Sequence, residues 1–175
     1  MLVLIITSLV SIFIAWFSFF LGVWNTNKRY NKEKREYFIM NFYNPICSLL
    51  SENNLLYLKF GPKTFNNYNL NKRAEAGELW ESIKKEAIIP NLISIRKILI
   101  QHQNFYMNTL IKNIYTDLQL HCLAFELYNN SPNEVYNEYK FNQEWINIIE
   151  QNRKEYIIRI AHEFKCFLAS STIKW

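Results

Sequence analysis

The chain has 175 residues, half of them hydrophobic, with 20 basic and 15 acidic side chains and a formal net charge of +5 at pH 7. This length allows one domain plus an appendage, and the small excess of positive charge argues against the broad basic surface that binds nucleic acid. Three glycines in the whole chain could hardly build a glycine-rich phosphate loop. We therefore expect no nucleic-acid partner and no nucleotide cofactor.

The sequence begins with an apolar segment. Nearly every residue from Leu2 to Trp24 is apolar, and the first charged side chain is Lys28. At about 1.5 Å per residue, a helix over this segment would rise about 34 Å, slightly more than the roughly 30 Å hydrocarbon core of a bilayer. We predict a transmembrane anchor over residues 1–27. The alternatives are a cleaved signal peptide, which normally has a basic region at its start, and a buried core helix.

A basic segment follows the predicted anchor and suggests its orientation. Positive residues near the end of a span favour the cytoplasmic side, and tryptophans favour the membrane interface. The predicted anchor and topology residues are Trp16, Trp24, Lys28, Arg29, Lys32, Lys34 and Arg35. They predict a single-pass protein of an inner or plasma membrane, with its N-terminus outside and its C-terminal domain in the cytoplasm. The lipid bilayer is the first predicted partner.

The next predicted region is a juxtamembrane helical segment over residues 28–60. The helix of the anchor is expected to continue through the charged segment towards Tyr43. Pro45 is then expected to kink or end it, because proline lacks the backbone donor that a helix interior needs. A second helical stretch runs to Phe60, and Gly61-Pro62 predicts a firm break.

Helical periodicity dominates the rest of the chain. Apolar residues recur at helical spacing over residues 72–87, 92–128 and 141–168, with a break expected near Asn104. Trp80 and Trp145 are the expected central core residues, because large aromatic side chains bury the most apolar area. The fold class is therefore predicted as all-α, an N-terminal transmembrane helix followed by a cytosolic bundle of four to five helices. The bundle would occupy residues 61–175.

The cysteines and histidines do not predict a metal or disulfide framework. Cys47, Cys122 and Cys166 are an odd and widely spaced set among apolar residues, so buried thiols are expected. His121 with Cys122, and His162 with Cys166, could form a ligand set if two helices packed antiparallel in register. Neighbouring residues on a helix diverge by about 100°, however, so we predict no metal site.

Arg96 and His102 carry the one enzymatic hint. Their R-x5-H spacing resembles the R-x4-6-H motif of HEPN-type ribonucleases, which are helical bundles in which the arginine and histidine act at the scissile phosphate. The alternative is a solvated Arg96 and a packed His102. We predict no catalytic residues and no cofactor, and we retain a membrane-anchored HEPN-like ribonuclease as the third functional hypothesis.

Several short stretches between about residues 38 and 126 carry a family resemblance through their order and spacing. They are Asn41-Phe42-Tyr43-Asn44-Pro45-Ile46, Trp80 followed by Ile88-Ile89-Pro90-Asn91, and His121 followed by Phe125-Glu126. In these stretches the chain resembles an uncharacterised family of bacterial proteins that have one N-terminal membrane anchor and a helical domain. The resemblance implies the topology and the fold, and it implies no activity.

The leading functional hypothesis is a membrane-tethered helical module for interaction or sensing, without catalytic activity. Tyr43, Pro45 and Pro90 are the candidate interaction residues, and their exposure would distinguish a binding surface from packing. A protein partner or self-association is expected, the latter through the small residues Ser8, Ser11, Ser18 and Gly22 of the anchor. The second hypothesis is an oligomeric membrane effector, of the toxin or phage-defence type, that perturbs the bilayer.

Overall fold

The computed structural model describes residues 2–66, 68–107, 111–131, 134–139 and 141–171. Regular secondary structure in these ranges is entirely helical, and they contain no β-strand. The predicted all-α class is confirmed. The chain divides into two compact units, a terminal unit of Met1–Phe38 with Ile160–Trp175 and a helical unit of Ile39–Arg159. The division falls inside the predicted juxtamembrane range 28–60.

In the terminal unit, α1 covers Leu2–Phe38. Near the N-terminus of the chain it provides the one described helix that is long and apolar enough to cross a membrane, with a mean hydropathy of 2.1 in its most apolar window. No residue of that window is buried in the protein. Signal sequences meet the same criteria of length and composition. The protein leaves the large apolar side chains of α1 uncovered. Phe13 is 64% exposed and Phe19 is 71% exposed.

The helical unit starts with two helical segments of different type. A first π segment covers Ile39–Tyr43, and α2 covers Asn44–Phe60 with Pro45 in its first turn. Pro45 does not end the helical backbone, because Tyr43 has helical φ and ψ of −69° and −50°. A first-turn residue needs no donor for an intrahelical bond, so proline is tolerated there.

The same arrangement, a π segment followed by a helix with proline in its first turn, is found around Pro90. α3 covers Leu70–Ile83, a second π segment covers Lys84–Ile88, and α4 covers Ile89–Gln101 with Pro90 in its first turn. A π segment inserts one extra residue into the helical turn and shifts the direction of the side chains that follow. Each proline thus falls two residues after a π segment, where the missing N–H costs little.

The remaining helices follow the predicted pattern closely. α5 is a single turn at Gln103–Tyr106, α6 covers Lys112–Asn130, and α7 covers Glu144–Ser171. Two short 3-10 helices lie at Pro62–Phe65 and Glu134–Tyr139. The break expected near Asn104 occurs at His102, whose φ and ψ of −108° and 20° end α4.

The core of the helical unit has an aliphatic part and an aromatic part. α4 packs mainly against α6 and also against α2, and it buries the predicted stripe Leu92, Ile95 and Leu99. Trp80 and Trp145 are 8% and 9% exposed, so both predicted core tryptophans are confirmed as buried. The aromatic part surrounds Phe42, which is fully buried, with ring centroids 5.2–6.3 Å away in Tyr43, His102, Phe105, Tyr106 and Tyr115.

Candidate functional site

The helical unit contains a cavity of about 560 Å³. This volume is within the usual range of small-molecule sites, about 300–1,000 Å³. α2, α3, the second π segment, α4 and α6 contribute to its wall, together with Tyr139, Phe141 and Gln143. A helix has 3.6 residues per turn, so residues three or four positions apart share a face. Leu50, Asn53, Asn54 and Tyr57 therefore lie on one side of α2, and this side faces the cavity.

The lining of the cavity is chemically mixed. Its aliphatic members are Leu50, Ile88, Leu92 and Ala124, and its aromatic members are Tyr57, Trp80, Phe125, Tyr128, Tyr139 and Phe141. Its amide and basic members are Asn53, Asn54, Lys84, His121, Asn129 and Gln143. Ligand pockets typically combine an apolar and aromatic wall with a few placed polar groups.

Lys84 is the one lining residue with a cationic side chain, and no carboxylate lines the described wall. The second π segment holds it one turn after Trp80, on the side of the helix that faces the cavity. Its Nζ lies 2.6 Å from Oε1 of Glu81, and the two side chains are 20% and 65% exposed. An ion pair with so exposed a carboxylate contributes little, because water screens it. The ammonium group can therefore exchange this partner for another anion at small cost.

His121 supplies a buried neutral ring to the cavity wall. Its Nδ1 lies 2.6 Å from the carbonyl oxygen of Tyr139, and a carbonyl can only accept, so Nδ1 carries the proton and Nε2 is an acceptor. Burial lowers the pKa of His121, and the bond to Tyr139 opposes that shift more weakly. The ring is therefore neutral at pH 7 and can accept a hydrogen bond from a ligand.

Side-chain amides join segments that are distant in sequence at the same wall. Asn91 Nδ2 donates to Asn53 Oδ1 over 2.9 Å, and Gln143 Nε2 donates to Asn54 Oδ1 over 3.2 Å. The Nδ2 group of Asn53 is buried and has no hydrogen-bond partner among the described residues. Unsatisfied buried donors are uncommon in folded proteins. Asn53 thus has hydrogen-bonding capacity that the fold itself does not use.

Aromatic rings contact one another at steep angles around this polar set. The Tyr57 and Trp80 rings lie 5.9 Å apart at 73°, on the α2 side of the cavity. On the α6 side, the His121 ring lies 5.3 Å from Phe141, which in turn lies 5.5 Å from Trp145 at 82°. Edge-to-face contacts of this kind are favourable for aromatic pairs, and they fix the ring orientations. The wall is consequently held in shape without a ligand.

The candidate nuclease residues, Arg96 and His102, lie in different surroundings. His102 is 8% exposed and lies in the aromatic core, with its ring 5.8 Å from Phe42. Arg96 instead lies beside Glu126 on α6, with Nη1 3.6 Å from Oε2. This arrangement does not present the two side chains together in an open cleft, as a HEPN-like site would need. It agrees with the packed alternative for His102 and differs from the solvated one for Arg96.

The candidate interaction residues do not form one surface. Tyr43 is 1% exposed and contacts the aromatic core, and burial raises its pKa to about 12. Pro45 is half-buried and Pro90 is exposed. Tyr43 is therefore a packing residue, because the first π segment directs both it and Phe42 inwards. Pro90, and in part Pro45, remain accessible.

The expected burial of the thiols is confirmed for Cys122 and only partly met by Cys47. Cys122 is 1% exposed and Cys47 is half-buried, and burial raises the pKa of each to about 12. The side chain of Cys166 lies outside the described residues. Among the residues that the structure describes, no three His, Cys, Asp or Glu side chains converge as a metal ion would require.

The basic segment after the apolar part of α1 is organised along the helix. Lys28 Nζ lies 4.1 Å from the Trp24 ring centroid, a cation–π contact. Arg29 and Glu33 are paired at 3.5 Å, and a second pair, Lys32 with Glu36, lies at 3.7 Å. These pairs are spaced four residues apart on exposed helix, where they are worth a few tenths of a kcal/mol each.

No protein family, curated protein or solved structure was found to match the chain. The candidate site therefore rests on the residues of this chain alone. Lys84 and the amides of α2 were not predicted as site residues from the sequence. One signal was available, because Trp80 and Lys84 are four residues apart and so share a helix face. The family resemblance stays a prediction.

Proposed function

We propose that the chain is a membrane-tethered sensing module that binds a small molecule in the cavity of its helical unit. The cavity is the observation that supports this proposal. Its described residues combine a cavity of typical size with an aromatic wall, one cation, a neutral histidine and an amide donor that has no partner among them. No reacting group is needed for such a role, and binding is the activity proposed.

A ligand bound in this cavity would change the packing of the helices that line it. It would contact α2, the second π segment and α6 together, and it would bind the folded state in preference to the unfolded one. Ligands of this kind stabilise the arrangement that they bind, in proportion to the logarithm of their concentration over Kd. The proposed signal is a change in the stability and spacing of these helices.

The tether is the second part of the proposal. The apolar helix α1, followed by the basic residues between Lys28 and Arg35, supports a single span with the helical unit on the cytoplasmic side. Tethering would raise the effective concentration of the module towards membrane partners. Extraction of membranes with alkaline carbonate should leave the protein in the pellet. Release into the supernatant would overturn the tether, and it would leave the cavity proposal intact.

The binding proposal is tested with the full chain in detergent micelles. A library of small molecules is screened by thermal unfolding, and at least one compound should raise Tm. Asn129 is an exposed lining residue, so Asn129→Trp should obstruct the cavity and remove the shift while preserving the fold. Ala124→Leu, which fills the wall from inside, is the second obstructing variant. Gln151→Trp, on exposed α7 outside the lining, is the matched control and should keep the shift. A shift that survives both obstructing variants contradicts binding in this cavity.

A further inference from the structure

We infer that the ligand of this cavity is a small planar aromatic monoanion, with a carboxylate against Lys84 and a ring between the aromatic walls. The inference rests on the proposed binding function and specifies the chemistry of the ligand. Three observations carry it, namely the charges of the residues in the wall, the position of Lys84, and the geometry of the aromatic rings in the wall.

The charge inventory favours one negative charge. Among the described residues that line the wall, Lys84 is the single cationic one, and neither Asp nor Glu is present. A ligand cation would meet an ammonium group without a compensating carboxylate. A dianion would leave one charge unpaired beside apolar groups, which is costly. A monoanion is the charge state that the wall can neutralise.

The position of Lys84 makes this charge available. Its side chain is 20% exposed, whereas its partner Glu81 is 65% exposed and is not a lining residue. A ligand carboxylate at the wall would be better shielded from water than Glu81 is, so it should form the stronger charge-assisted hydrogen bond. Glu81 is then a competitor for Lys84, and its removal should strengthen binding.

The aromatic side chains of the cavity wall select a flat molecule. Trp80 and Tyr57 meet edge to face on one side, and Phe141 contacts His121 on the other. A planar ring can continue these edge-to-face and offset contacts, which stabilise aromatic pairs beyond their buried area. Neutral His121, through its Nε2 acceptor, and the amide of Asn53 can bind polar substituents on the ring edge.

The test compares three probes of one ring system, naphthoate, neutral naphthamide and dianionic naphthyl phosphate, by calorimetric titration of the full chain in micelles at pH 7.5. Naphthoate should bind about tenfold or more tightly than naphthamide, as a charge-assisted hydrogen bond predicts. Lys84→Met should abolish this preference. Lys85→Met, which removes an exposed neighbouring charge outside the lining, should retain it. Glu81→Gln should strengthen naphthoate binding about two- to threefold.

Each other result overturns the inference in a distinct way. Equal affinity for naphthoate and naphthamide, or a preference that persists in Lys84→Met, removes the role of the charge. Naphthyl phosphate binding as tightly as naphthoate removes the restriction to one charge. Failure of all three probes removes the aromatic class. If neutral library compounds still bind and Asn129→Trp blocks them, the proposed binding function stands without the inference. If nothing in the library binds, both fail.

Discussion

Buried histidine rings tie the stability of the helical unit to pH. Burial lowers the pKa of His121 and of His102, so the folded protein takes up their protons less readily than the unfolded chain does. At pH below the unfolded value of about 6.5, the unfolded state therefore binds more protons. The stability contributed by the neutral rings is present above that value and is lost as the pH falls towards the folded pKa.

We predict that the free energy of unfolding decreases on acidification from pH 7.5 to 5.5. The limiting slope is about 1.4 kcal/mol per pH unit for each proton that the unfolded state binds and the folded state does not. The measurement is urea denaturation of the full chain in micelles at several pH values. His121→Asn keeps a donor for the Tyr139 carbonyl and removes the titrating ring, so its profile should be flatter. A wild-type slope in His121→Asn would assign the pH dependence to other groups.

Arg153 shows how a single residue joins helices that the sequence pattern treats as separate. Its guanidinium group makes two hydrogen bonds to Glu150, at 2.7 and 3.2 Å, and a third to Asn44 Oδ1 at 3.1 Å. The bonds from Arg153 are the main cause of a lowered pKa for Glu150. Helix periodicity places Glu150 and Arg153 together, because they are three residues apart. It gives no indication of Asn44, more than a hundred positions earlier.

At the scale of elements, helix ends were predicted where local chemistry decides them. Gly61-Pro62 ends α2 as expected, with Gly61 N–H donating to the Tyr57 carbonyl over 2.9 Å. α6 ends at Asn130, two residues beyond the predicted stretch of 92–128. The π segments were not predicted, since they depend on how neighbouring helices pack around Phe42, Tyr43 and Ile88. Without the first of them, Pro45 was expected to kink or end the helix.

Two glycines provide a matched test of these helix ends. A Cβ added at Gly61 would meet the Tyr57 carbonyl oxygen and carbon, whereas one at Gly77 inside α3 would meet nothing within 4 Å. Gly61→Ala should therefore destabilise the protein by about 1–3 kcal/mol through overpacking. Gly77→Ala should stabilise it by about 0.5–1 kcal/mol through helix propensity. Thermal and urea unfolding of both variants measure the difference. Equal effects at the two positions would contradict the close approach at Gly61.

For the molecule as a whole, the sequence predicted the class of fold but not the cavity. Stripes such as Leu92, Ile95 and Leu99 show which side of a helix is buried, so an all-α core follows from them. A cavity depends instead on what the packed faces leave unfilled. Its polar wall uses the Asn91–Asn53 and Gln143–Asn54 bonds, whose partners are 38 and 89 positions apart. One sequence does not show such distant pairings.

The hydroxyl groups of α1 bear on the choice between the proposed tether and a pore-forming effector. Ser11 Oγ donates to the Thr7 carbonyl and Thr26 Oγ1 to the Gly22 carbonyl, each over 2.9 Å. Hydroxyls satisfied within their own helix can face lipid at low cost, whereas a water-filled pore needs groups that face water. This favours a tether, and we predict that strong induction of the full chain leaves the membrane potential of the expressing cells unchanged. A potential-sensitive dye provides the measurement, and a chain without residues 2–24 is the control. Depolarisation that needs residues 2–24 would favour the oligomeric effector, because one span per chain can form a pore only as a multimer.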